Sequence, residues 1–276
     1  MTNKLIIITI TLFIHTQISV ASDNFIWKER KHLDISNGLS HNGITDILYD
    51  SRGYIWITTY DGLNCYCGNS NRIYKNSVDS KIFPSNRLRS ITEDNRGKIW
   101  IGSEKGLFYY NYSKDEFITT HTSDKNLIIT DIITTKDKVI AFSPREGYFI
   151  FNYDGEFLKN IKYPQDISFN KASTLYDGRI ALAMSKGIIL FNPTDYKQEI
   201  ILKDKIKDAN SISPITKSNF LVGARTGIYK ISLPDKSQNY KLTHLDFKHP
   251  TNNITIDKDK GVWIEFMDSK MGQKHI

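Results

Sequence analysis

The chain has 276 residues, is 39% hydrophobic and 12% aromatic, and carries a formal net charge of +7. That apolar content supports a packed core and excludes a disordered chain. Its 37 basic residues are scattered without a run of five, which leaves no clustered stripe for nucleic acid and makes the charge a matter of solubility.

The first 21 residues read as an export signal. Lys4 supplies a positive n-region, Leu5 to Ile14 is an unbroken apolar stretch, and Ser19-Val20-Ala21 places small residues before a cleavage site after Ala21. The apolar stretch is too short to span a bilayer core of about 30 Å as a helix. No later run is long enough either, so the expectation is an exported, periplasmic chain beginning at Ser22, without a membrane span.

Beyond it the sequence repeats. The segment from Ile44 to Asn64 aligns with that from Leu88 to Phe108, and Gly53, Trp56 and Gly62 recur at Gly97, Trp100 and Gly106. Further turn glycines follow at Gly147, Gly187 and Gly227, and a sixth unit begins with Ile254, Gly261 and Trp263. Each unit predicts an alternating strand (Ile44, Ile47, Tyr49; Leu88, Ile91), an Asp-x-x-Gly turn (Asp50–Gly53, Asp94–Gly97), and a short strand carrying the Trp. A tight turn (Asp61-Gly62, Lys105-Gly106), an aromatic strand and a less regular fourth segment complete it. Four short antiparallel strands per unit make the fold class all-β, a β-propeller of four-stranded blades. A blade buries both faces only by stacking on neighbours. The units are expected near 38–80, 81–122, 123–162, 163–203, 204–246 and 247–276, about five and a half blades. Counting six residues back from each turn glycine puts Ala141, Ala181 and Leu221 at the Trp position, which assigns that position to packing.

Cys65 and Cys67 are the only cysteines, two apart on one strand. A bridge across one residue is strained, and two cysteines without a nearby His pair do not close a zinc site. The expectation is two free or transiently paired thiols, with no metal and no cofactor.

The stretch Gly38-Leu-Ser-His-Asn-Gly43-Ile-Thr-Asp-Ile-Leu-Tyr-Asp-Ser-Arg-Gly53-Tyr-Ile-Trp56 and its continuation through Asn64 resemble the two-component regulator propeller repeat. The second copy, Leu88 to Leu107, resembles it too, and Phe25 to Leu33 is similar to the strand that usually precedes it. The resemblance implies a seven-bladed ring in the periplasmic sensor half of a hybrid two-component system, typical of Bacteroides-like bacteria. It further implies an oligosaccharide ligand and a homodimer or further sensor domains as partners. Family members usually carry Arg and Asp where Cys65 and Cys67 stand. The kinase and receiver portions are not in this sequence, so the expectation is a sensing segment, with an incomplete ring exposing an unpaired blade face and edge.

On that scaffold, ligands are expected where the connections from second to third strand and from fourth to first strand converge. The former carry Tyr60, Asp61, Glu104, Lys105, Arg145, Glu146, Lys186 and Arg225; the latter carry His41, Asn42, Asn86 and Arg87. Aromatic, amide and charged groups around one rim suit a sugar, and Lys or Arg on four successive blades suits an acidic one. A stand-alone or decayed binding or interaction module stays open as the alternative. A propeller lyase or hydrolase is the weaker one, because the six histidines downstream of Ser22 do not repeat with the blades and no G-x-S-x-G, P-loop or H-E-x-x-H is present.

Overall fold

The computed structural model describes residues 33–67, 70–120, 127–234, 239–245, 247–267 and 273–275. The export signal, the Phe25–Leu33 stretch up to His32, and His121 lie outside them. What is described forms one unit, from Leu33 onward.

Six antiparallel sheets follow one another along the chain. The first blade is β1 (Ile44–Tyr49), β2 (Ile55–Thr59), β3 (Gly62–Tyr66) and β4 (Asn71–Tyr74). The second is β5 (Leu88–Glu93), β6 (Ile99–Ser103), β7 (Gly106–Asn111) and β8 (Glu116–Thr119). The third is β9 (Asp131–Thr134), β10 (Lys138–Ser143), β11 (Gly147–Asn152) and β12 (Phe157–Ile161). The fourth is β13 (Phe169–Thr174), β14 (Ile180–Met184), β15 (Gly187–Phe191) and β16 (Gln198–Ile201). The fifth is β17 (Ala209–Thr216), β18 (Asn219–Ala224), β19 (Gly227–Ser232) and β20 (Lys241–His244). The sixth has three described strands, β21 (Thr251–Ile256), β22 (Val262–Phe266) and β23 (Gln273–His275). The first strand of each blade touches the first strand of the next, so these strands form the inner ring of a propeller.

Strand alternation decides the packing. In the second blade Ile99, Ile101 and Phe108 face the first blade, while Trp100, Leu107 and Tyr109 face the third. The same division gives a separate apolar layer between each pair of neighbours, ending with Leu221, Ile228, Ile254 and Ile264 between the fifth and sixth blades. Each fully buried Leu, Ile or Phe in these layers contributes about 1.5–3 kcal/mol relative to exposure. The face of the first blade turned away from the second differs. Ile47, Tyr49 and Ile73 are exposed there, although the same alternation buries Ile91 in the second blade. Trp263 at the other end is 46% exposed, against 0% for Trp56 and Trp100. Part of the first blade's outer face is covered by the segment at Gly38 and Ser40: the Ser40 backbone N–H donates to buried Asn64 Oδ1 at 2.9 Å, and Asn71 Nδ2 donates to Gly38 O.

One register expectation is corrected. Ala181 and Leu221 do occupy the Trp position, being paired with Leu190 and Lys230 as Trp100 is with Tyr109. Ala141 does not. Ser143 pairs with Gly147 across three residues, whereas Ser103 pairs with Gly106 across two. The extra residue shifts the count by one, and Ile140 takes the place of the Trp, buried toward the fourth blade.

Candidate functional site

The two sets of rim connections do converge. Gly62 N donates to Asn86 O at 2.9 Å, Glu104 N to Arg87 O at 3.1 Å, Phe169 N to Pro144 O at 2.9 Å and Asp208 N to Ser185 O at 3.0 Å. The hairpin between the second and third strands is thereby tied, in blade after blade, to the connection that starts or ends the blade.

Between the first and second blades this rim opens into a cleft of about 590 Å³. It gathers six of the residues expected from sequence: His41, Tyr60, Asp61, Asn86, Arg87 and Lys105. Four more, Asn76, Lys81, Pro84 and Ser85, come from the connection between β4 and β5. Repeat alignment passes over residues 75–85 because they fall between the segments that repeat. The connection's one sequence signal is length: residues 75–87 separate these strands, whereas 162–168 and 202–208 suffice farther along.

Several polar groups of the cleft are spent on its own construction. Asn86 accepts from Asn76 N at 2.8 Å through Oδ1 and donates to Asp61 Oδ1 at 3.2 Å, and Asn76 Oδ1 in turn accepts from Ile82 N at 2.8 Å. Asp61 also pairs with Lys75. Glu104 lies behind the wall, held by Arg89 and more loosely by Arg87 at 3.5 Å. Partial burial pushes the Glu104 carboxyl up, but the two guanidiniums outweigh it and hold the group below the usual Glu range. Arg89 also lies over the Tyr60 ring, its guanidinium carbon 5.1 Å from the centroid, and His41 meets Tyr60 edge-on. Gly43 admits this arrangement, since a Cβ there would sit 2.5 Å from Tyr60 Cδ2 and 3.0 Å from the His41 ring. What remains facing solvent is the Tyr60 ring, 42% exposed, with His41, Lys81, Arg87 and Lys105 around it.

The other expected residues lie elsewhere. Asn42 accepts from Ile35 N at 2.9 Å and braces the chain leading into the first blade. Glu146 pairs with Lys162 at 3.1 Å. Arg225 lines a second rim cleft of about 530 Å³ with Asn170, Asp208, Asn210, Pro250 and Met267. Arg145 and Lys186 line neither cleft. Lys105 and Arg225 therefore serve separate concavities.

The inner ring holds a charged group that the rim-directed reading missed. Asp46 Oδ2 accepts from Ile91 N at 3.0 Å, and Asp131 Oδ2 accepts from Ala172 N at 2.8 Å, each reaching to the next blade. Lys171 Nζ lies 2.9 Å from Asp131 Oδ1. Burial drives the Asp46 carboxyl above its ordinary range despite the Ile91 amide and Lys171. Burial alone would lower Lys171, but Asp131 and then Asp46 raise it. Repeat alignment places 46, 131 and 171 at one inner-strand position, so the signal was present. Among the described residues no group of three or more His, Cys, Asp and Glu is placed to hold a metal ion.

Cys65 and Cys67 are both free. Burial pushes the Cys65 thiol up to about 12, which keeps it protonated and unreactive at neutral pH.

The model of the family described as two component regulator propeller matches residues 38–61 and 82–105, which span the Gly43–Tyr60 wall and the Asn86–Lys105 wall of the cleft. The chain carries two-component regulator propeller repeats. A histidine kinase, P4, of Formosa agariphila is 33% identical to this propeller over 67 residues, 24% of this chain and 5% of the kinase. Among solved structures, the extracellular domain of a hybrid two component system of B. thetaiotaomicron superposes with TM-score 0.71 at 18% identity, over 89% of this chain and 35% of that one. A streptogramin B lyase superposes with TM-score 0.67 at 14% identity, over 87% of this chain and 80% of the lyase. At these identities the structural likeness shows the fold alone. The propeller spans about a third of that extracellular domain.

Proposed function

We propose that this propeller is the ligand-sensing segment of an exported two-component sensor, and that its ligand is an oligosaccharide bound in the cleft between the first and second blades. The observation that carries the reading is the cleft itself, eight of whose ten lining residues lie in the two segments that match the family. A tyrosine ring stands exposed there among hydrogen-bonding side chains whose neighbours are already satisfied. Sugar rings present C–H faces that pack on such a ring and hydroxyls that bond to the groups around it. The proposed extracellular setting is supported by the export signal read in the sequence and by the extracellular domain that the propeller resembles. Partners in this reading are a second copy or further sensor domains.

The test is a thermal-shift screen of the protein against a panel of neutral and acidic oligosaccharides, repeated with Tyr60→Ala. A ligand at 100 times its Kd stabilises the native state by about 2.7 kcal/mol, a shift of several degrees. Stabilisation of the wild type that is lost in Tyr60→Ala supports the site. Stabilisation retained in Tyr60→Ala, or none with any oligosaccharide, overturns it.

The lyase likeness favours a second reading only at the level of fold. Turnover of a screened oligosaccharide that depended on Asp61 or Glu104 would establish it in place of sensing.

A further inference from the structure

The charge of the blade 1–blade 2 cleft is unbalanced in a particular way. Counting the groups that line it, or that pair with or stack on a lining residue, gives Lys75, Lys81, Arg87, Arg89 and Lys105 against Asp61 and Glu104: 5 − 2 = +3. Both carboxylates are occupied. Asp61 is held by Lys75 and Asn86, and Glu104 by Arg89 and Arg87. Asp79 shares the connection with Lys81 but does not line the cleft.

The cations are not equally engaged. Arg89 is committed to Glu104 and to the Tyr60 ring. Arg87 touches Glu104 only at 3.5 Å and keeps 65% of its side chain exposed. The side chains of Lys81 and Lys105 are exposed and have no ion pair or hydrogen bond to a described residue. They line one cleft from two different blades' connections, with the Tyr60 ring in the same wall. A concavity that focuses positive potential beside an apolar ring face selects a ligand with an anionic substituent on a ring.

Resting on the reading of this cleft as an oligosaccharide site, we infer that its ligand is an acidic saccharide, whose carboxylate or sulfate is met by Lys81, Lys105 and Arg87 while a sugar face packs on Tyr60. Glu104, drawn back by Arg89, leaves Arg87 able to turn toward the ligand anion.

Calorimetric titration of the whole chain separates the possibilities. The probes are tetragalacturonate, its carboxyl-reduced counterpart and a chondroitin sulfate tetrasaccharide, with inorganic sulfate as a control. The expected result is binding of one or both acidic tetrasaccharides, at least tenfold tighter than the carboxyl-reduced one, with sulfate alone far weaker. Which acidic probe binds identifies the anion. Lys81→Gln and Lys105→Gln should each weaken that binding about 2–5-fold, as expected for an exposed charge pair. Raising the salt from 0.05 to 0.5 M should weaken it further by screening. Urea melts of both variants should match the wild type, since neither lysine supports the fold. Equal affinity for the carboxyl-reduced tetrasaccharide overturns the acidic assignment while leaving the saccharide site standing. Acidic binding unaffected by both substitutions overturns it too, by placing the ligand elsewhere. If no tetrasaccharide binds, the saccharide reading falls together with the inference.

Discussion

The indole Nε1 of Trp56 donates to Asp50 Oδ2 at 2.8 Å, across the turn that joins β1 to β2. Trp100 and Asp94 repeat the bond at 2.8 Å, and Trp263 and Asp257 at 2.9 Å. In the three blades where Ile140, Ala181 and Leu221 replace the Trp, the aspartate position is taken by Thr135, Leu175 and, beyond a bulge at Ile215, Thr216. Donor and acceptor are lost together. A buried indole N–H without an acceptor, or a buried carboxylate short of donors, costs about 1–3 kcal/mol, so neither half is worth keeping alone.

This pairing makes Asp50 more than a turn residue. Its Oδ1 also accepts from Arg52 N and Tyr54 N, and Tyr112 of the second blade donates to Oδ2 at 2.5 Å. Asp50→Ala should cost on the order of 3 kcal/mol in urea denaturation, and Trp56→Phe about half as much. The double variant should lose at least about 1 kcal/mol less than the sum, because the two share one bond. Additive losses would show that the bond contributes nothing. Burial pushes the Asp50 carboxyl up, but Tyr112, Trp56 and the two amides outweigh it, so its folded pKa lies below the ordinary 3.8. A carboxyl of that kind stabilises fully above 3.8 and loses its contribution as the pH falls through the lowered folded value. Asp50→Asn should therefore be less stable at pH 7 and show a flatter decline in acid.

The inner-ring group has the opposite sign at Asp46. Its folded pKa lies above 3.8, so the protonated form favours the fold. That contribution is full below 3.8 and is lost as the pH rises through the raised value. Asp46→Asn keeps an oxygen for the Ile91 amide and should gain a few tenths to about 1 kcal/mol at pH 7, a gain that disappears below pH 4. Lys171→Met should cost about 1–3 kcal/mol, since it leaves Asp131, 7% exposed, without its cation. The figure is held down because the Lys171 side chain is itself 45% exposed. The cost should shrink in the Asp46→Asn background. A loss independent of Asp46 in equilibrium melts would mean that the two charges do not interact.

How much of this was legible in the sequence depends on whether it repeats. Strand order, the turn at Asp50 and the burial of Trp56 follow from spacing and alternation, and the rim position of Tyr60, Asn86, Arg87 and Lys105 follows from placing those spacings on a blade. The Trp56–Asp50 bond was not legible, because a turn brings the two together and Asp50 already had a sufficient reason to be there. Lys81 and Ser85 were missed because they lie between the repeated segments, on the connection from β4 to β5, whose path is set by Asn76 and Asn86 rather than by any period. The expected rim of cations across four blades dissolved for a similar reason. Similar positions along the chain do not share a concavity when neighbouring connections differ in length.

The misplaced Ala141 leads to the last expectation. Counting back from Gly147 failed because the β10–β11 hairpin holds one residue more than the β6–β7 hairpin, yet the turn glycine is left-handed in both. Gly147 has φ +101°, and a Cβ there would lie 2.1 Å from the carbonyl oxygen of Ile161, the last residue of the neighbouring β12. Gly106 has a similar φ of +102°, yet a Cβ there would meet nothing within 4 Å. Gly106→Ala thus bears only the left-handed penalty, about 1–2 kcal/mol. Gly147→Ala bears the same penalty and a backbone clash that no rotamer relieves, and should cost at least about 2 kcal/mol more. Because β12 must shift to relieve it, the amides of Tyr148 and Ile161 should exchange faster in Gly147→Ala than their counterparts around Gly106 do in Gly106→Ala. Equal losses in the two variants would mean that the third blade's hairpin yields where β12 does not have to, and that the approach of the Ile161 carbonyl imposes no cost of its own.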